Sequence, residues 1–222
     1  MTRNLLFSRP RRSASPPPAV TSHDGPSRVT RREMSDLLNS LRTALPNDGG
    51  QVNIGVISAF PGEGVSTVAQ SIARAAADTP REHVLLCAMQ APTSGNVERP
   101  PFLFMETFAD EHEPQLSYGE VQADALAHAA DGQAGEGRAI MRALTRSFTT
   151  VVVDLPPTSV TSVGPMVSRI LDGVILVIEA ERARAHALRS ARKNIEKYGG
   201  RILGVVLNKR RYHIPEQIYR LL

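Results

Sequence analysis

A single cysteine, Cys87, stands in a chain of 222 residues, which excludes a disulfide framework and any cysteine-built zinc site. Long apolar runs are missing too. The longest purely aliphatic stretch is Val174–Ile178, far short of the roughly 18–20 residues of a membrane span. The opening MTRNLLFSRPRR holds a three-residue apolar cluster and no cleavage signal, so a soluble intracellular protein is the expectation. Lysine is scarce, with three residues at 193, 197 and 209 against 23 arginines. Codon composition accounts for that skew, but it has a chemical consequence: no lysine precedes residue 193.

What is present suffices for a globular domain. At 24.1 kDa and 41% hydrophobic, the chain buries a real core and has room for one α/β domain with a flexible extension. The net charge of +4 is unevenly placed. Residues 1–32 hold seven Arg and one Asp, a local balance of +6, and the remaining 190 residues sum to −2. The basic character therefore describes a tail, and no nucleic-acid partner is expected. That tail is rich in Ser, Pro and Arg, includes Pro16-Pro17-Pro18 and lacks periodicity, which predicts disorder. It reads as a solubilising extension, or alternatively as an electrostatic contact with an anionic membrane surface or acidic partner.

From Met34 to Leu45 the apolar residues Met34, Leu37, Leu38, Leu41 and Leu45 fall at helical spacing, and Pro46 ends the run. The apolar segments 52–59, 83–89, 149–157, 172–180 and 201–209 read as buried strands. They alternate with helical stretches at 65–77, 138–147, 160–171 and 182–198. Residues 91–137 give the weakest signal and predict a variable, partly mobile insertion with one helix near 119–130. The pattern predicts a mostly parallel sheet with helices on both faces. The expected organisation is a basic tail (1–32), one α/β domain (33–210) and a short C-terminal tail (211–222).

The segment Ala59-Phe60-Pro61-Gly62-Glu63-Gly64-Val65-Ser66-Thr67 lies between a predicted strand and a predicted helix. Glycines there let the backbone fold so that several N–H groups converge at a helix N-terminus, forming an anion cradle. A complete phosphate loop carries lysine after the second glycine; here Val65 takes that place, followed by Ser66 and Thr67. With no lysine before residue 193, an arginine would have to substitute. Two readings stand: a loop that still holds ATP and magnesium without efficient phosphoryl transfer, or a relic of the fold that binds nothing. Asp154, at the end of an apolar strand, is the candidate magnesium ligand with Ser66. Cys87, inside a predicted strand, reads as a small core residue. His112, among acidic neighbours, reads as solvated.

These segments resemble the cytosolic domain of bacterial tyrosine kinases (BY-kinases), P-loop proteins that work with a membrane co-polymerase in capsular and exopolysaccharide synthesis. ISAFPGEGVST (57–67) is similar to that family's SxxPGEGKST loop, and TTVVVDLPP (149–157) to its VIIDTPP element. LDGVILVIEA and ILGVVLN also have counterparts. The resemblance implies a P-loop NTPase-like fold, contacts to ATP from Gly62, Glu63, Gly64, Val65, Ser66 and Thr67, an adenine contact from Asn208, and a catalytic and metal-binding Asp154.

Departures from the pattern accompany it. Val65 replaces the loop lysine, and VLLCAMQ (84–90) puts Ala88 and Gln90 where the family's VLLIDAD carries its two aspartates. The C-terminal tyrosine cluster shrinks to Tyr212 and Tyr219. In the family's ExxRxxR self-association helix, Asp36 and Asn39 stand at two of the three positions and Arg42 is kept, which leaves a homo-oligomer open. The resemblance implies a degenerate, non-catalytic or weakly active subunit, peripheral at the inner face of the plasma membrane, whose partner is a polysaccharide co-polymerase. The rivals are an active tyrosine autokinase using an arginine in place of the lysine, and a membrane-positioning ATPase of the ParA/MinD type.

Overall fold

The computed structural model describes residues 31–45, 51–90, 105–110, 113–132, 134–180 and 185–209. The expected tail at 1–30, His112, Tyr212 and Tyr219 lie outside the described residues.

Seven strands form one sheet: β1 (Val52–Ser58), β2 (Val84–Gln90), β3 (Met105–Ala109), β4 (Leu116–Gln122), β5 (Thr150–Asp154), β6 (Gly173–Glu179) and β7 (Ile202–Asn208). Their order across the sheet is β3-β4-β2-β5-β1-β6-β7. Every pairing is parallel except β3 with β4, an antiparallel pair at one edge. The sheet is thus the expected mostly parallel one, with its central strands apolar on both faces.

Helices cover both faces, as the pattern requires. On one face lie α1 (Arg31–Ala44) and α2 (Val65–Ala77). Met34, Leu38 and Leu41 of α1 and Val68, Ala69, Ile72 and Ala73 of α2 pack there on Ile54, Val56, Val152, Ile175 and Val177. The other face carries α3 (Ala123–Asp131), α4 (Ala134–Leu144), α5 (Val163–Ser168) and α6 (Ala185–Lys197). Leu126, Met141, Val167 and Ile195 bury themselves there against Leu85, Val151, Val153 and Leu176. The apolar positions expected of α1 face the core as its spacing predicts; Asp36 and Asn39 are exposed.

Residues 91–137 hold more than expected. The helix expected near 119–130 is α3, and the described part adds β3, β4 and the start of α4. Strand β4 continues the parallel sheet from β2 with Val84 opposite Leu116 and Gln90 opposite Gln122, and α3 begins directly after it. The helical reading of 119–122 fails because those residues are held in the β2–β4 ladder.

Candidate functional site

The loop after β1 closes on two glycines whose backbones lie in the left-handed region, Gly62 at φ 82° and Gly64 at φ 91°. Side chains rarely adopt that conformation, so glycine is what the turn demands. At Gly64 the space is also taken: an added Cβ would lie 2.1 Å from Asn208 Nδ2. Gly64 caps α2, and its carbonyl accepts the first helical bond, from Val68 N at 3.0 Å. The first-turn N–H groups of α2 therefore point out of the loop at the C-terminal edge of the parallel sheet, where such sheets take ligands.

Asp154 ends β5, flanked in register by Val56 of β1 and Ala88 of β2. It is partly buried; burial pushes its carboxyl above the ordinary 3.8, and a hydrogen bond from Ser66 pulls part of that back. Ser66 and Asp154 thus meet across the mouth of the loop, a pair of oxygens of the kind magnesium takes. The segment after β5 is laced to the loop's start, with Thr158 N donating to Ser58 O at 2.9 Å and Ser159 N to Ala59 O at 3.1 Å.

The missing charges can be placed. Val65 is partly buried against the α1–α2 cluster, so the residue replacing the lysine packs into the core. Ala88 lies next to Asp154 with no carboxylate of its own, and the following partner in that row is Glu120 on β4, opposite Ala88. The described Gln90 backbone ends β2; its side chain lies outside the described residues. Cys87, buried one residue earlier, has its thiol pushed up to about 12, by burial first and then by the charges of Glu120 and Asp154. It is a core residue, as expected.

The other flank of the loop is densely bonded. Glu63, buried at 6% exposure, folds its carboxylate back to accept Phe60 N at 2.8 Å and Glu179 N at 3.3 Å. Asn208 Nδ2 donates to Glu63 O at 2.9 Å. The amide expected to meet adenine is therefore engaged by the loop itself. Lys209 Nζ donates to Gly62 O at 2.5 Å and lies 3.4 Å from Glu179 Oε2. The expectation that a substitute cation would have to be an arginine is corrected here: the cation at the loop is a lysine, brought just past the end of β7 across 147 positions of sequence. Sequence reasoning also missed Glu63 as a strut and Glu120 in the row beyond Ala88. The only sequence signal for Lys209 is its rarity in an arginine-dominated chain.

These residues fit a nucleoside polyphosphate with magnesium. The loop N–H groups and α2 suit the phosphates, Ser66 and Asp154 suit the metal, and the cation at Val65 is absent. Thr67 is exposed in the first turn of α2.

No family profile matches the chain. It is 33% identical over 70 residues to CapB of Staphylococcus aureus, a candidate tyrosine-protein kinase by name, across 32% of this chain and 31% of that one. The match thus spans under a third of the length of the curated relatives. Among solved structures, the VpsO kinase domain superposes with TM-score 0.58 at 21% identity, over 82% of this chain and 96% of that one. The kinase domain of the Escherichia coli tyrosine kinase ETK gives 0.63 at 16% identity, over 83% and 77%. The chain is similar to bacterial tyrosine kinases in sequence over that segment, and its fold is that of their P-loop kinase domains.

Proposed function

We propose that this chain is a BY-kinase-like subunit that holds nucleotide weakly or in a regulatory way and does not run efficient phosphoryl transfer. It would support capsule or exopolysaccharide polymerisation, chain-length control or export by contacting a membrane co-polymerase at the inner face of the membrane. One observation carries this reading: the loop keeps its glycine geometry and its Ser66–Asp154 pair, while Val65 and Ala88 stand where a cation and a carboxylate would act.

The physical consequence follows from the charge such chemistry demands. Removing one preorganised donor from a transition state costs on the order of 10²–10³ in rate, and this loop has neither a lysine at position 65 nor a carboxylate at position 88. Binding is less demanding, because backbone N–H groups at a helix start already favour an anion. Magnesium, when bound, supplies further charge neutralisation at the phosphates. Within the chain, Ser66 and Asp154 orient that ion and the loop orients the phosphates.

The test is titration calorimetry of ATP with magnesium against the wild type and Val65→Lys, beside a radiolabelled autophosphorylation assay. A gain of tenfold or more in ATP affinity for V65K, with no appreciable labelling of the wild type, is the expected pair of results. Strong labelling of wild-type Tyr212 or Tyr219 would replace this reading with that of an active autokinase.

A further inference from the structure

Hydrogen bonds tie the β7 flank of the loop to two strands. Glu63 joins the loop to β6 through Glu179 N, Asn208 joins it to β7, and Lys209 links Gly62 O to the Glu179 carboxylate. Ala180 N closes the circuit on Asn208 O at 2.9 Å. Lys209 sits at φ 56°, one of two non-glycine residues with positive φ among the described residues. Such backbone persists where surrounding contacts over-determine it.

We propose that Lys209 is a positioning residue of the phosphate loop. Its ammonium latches Gly62 and thereby fixes the cradle. It also offsets, on the β7 side, part of the carboxylate charge that a nucleoside polyphosphate would meet there. This rests on the nucleotide-binding reading above.

Charge counting sets the size of the effect. Two carboxylates, Glu63 and Glu179, lie on this flank, and Lys209 offsets one of them, which halves the field that opposes an incoming anion. The chemistry also suits lysine over the arginine that dominates the chain. A compact ammonium can bridge a carbonyl in the loop and a carboxylate at the end of β6, whereas the guanidinium fork is built for two acceptors side by side.

Lys209→Met in the full chain keeps the aliphatic stem and removes the charge. Amide hydrogen exchange of the nucleotide-free protein reads the latch. Exchange at Phe60 and Glu179 is expected to rise tenfold or more in K209M, with K209R intermediate. Calorimetry with ADP and with adenosine reads the charge: ADP affinity is expected to fall at least tenfold in K209M while adenosine affinity stays within twofold. Unchanged exchange would overturn the latch. Equal losses for ADP and adenosine would overturn the electrostatic role, since the stem alone would then account for them. Failure of the wild type to bind ADP would sink the nucleotide reading and the charge role with it, while the exchange measurement still decides the latch.

Discussion

The two flanks of the loop after β1 are built in opposite ways. On the β5 side, Asp154 sits beside Ala88 on the adjacent strand and Val65 is partly buried against the core. On the β7 side, Glu63, Glu179, Asn208 and Lys209 interlock through five polar contacts. The depleted flank is where phosphoryl transfer needs charge, and the bonded flank is where the loop needs shape. The conformation of a loop and the chemistry it could carry thus rest on different residues.

The largest expected way to break that contrast is Gly64→Ala. The left-handed backbone strains any side chain there, and a Cβ would push the Asn208 amide off Glu63 O, so the variant should lose on the order of 1–3 kcal/mol of stability. Denaturant unfolding measures the loss. Gly62, with nothing near its missing Cβ, should lose less on substitution, from backbone conformation alone; equal losses at both sites would remove Asn208 from the account.

Asp154→Asn sharpens the other flank through a pH dependence. The folded-state carboxyl titrates above its ordinary 3.8, with burial as the main cause. Ionising it therefore works against folding: whatever it contributes is fully present below about 3.8 and is lost as pH rises through the elevated folded value. D154N should be more stable than wild type near neutral pH, with the gain shrinking toward zero as pH falls below 4. Thermal melts across pH 3–8 follow it. A D154N variant less stable than wild type at pH 7 would mean that the Ser66 bond outweighs burial.

The smallest effect concerns Cys87, below the depleted flank. With its thiol pushed up to about 12 and its side chain buried, the native protein should resist alkylating reagents at pH 8 and react once unfolded. Prompt labelling of the folded protein would show that the β2–β5 edge opens readily.

Much of this was legible in residue order. The strand–loop–helix around Gly62 and Gly64 shows in composition alone, and Asp154 declares itself as a carboxylate ending the apolar run Val151–Val153. Strand β4 hides because its apolar residues change face partway: Leu116 and Tyr118 pack on the α1–α2 side and Val121 on the other. That breaks the two-residue period on which strand recognition depends. Lys209 was invisible for a different reason, since its partners Gly62 and Glu179 become neighbours only through the β1-β6-β7 order.

Strand order also governs how the chain can acquire its shape during synthesis. Strand β1 is complete at residue 58, yet it lies between β5 and β6, and neither exists until residue 150 has been made. A nascent chain must therefore carry an apolar strand with both hydrogen-bonding edges open from residue 58 until β5 is made. Such contacts, distant in sequence, make for slow closure and for exposure to aggregation until β5 and β6 arrive.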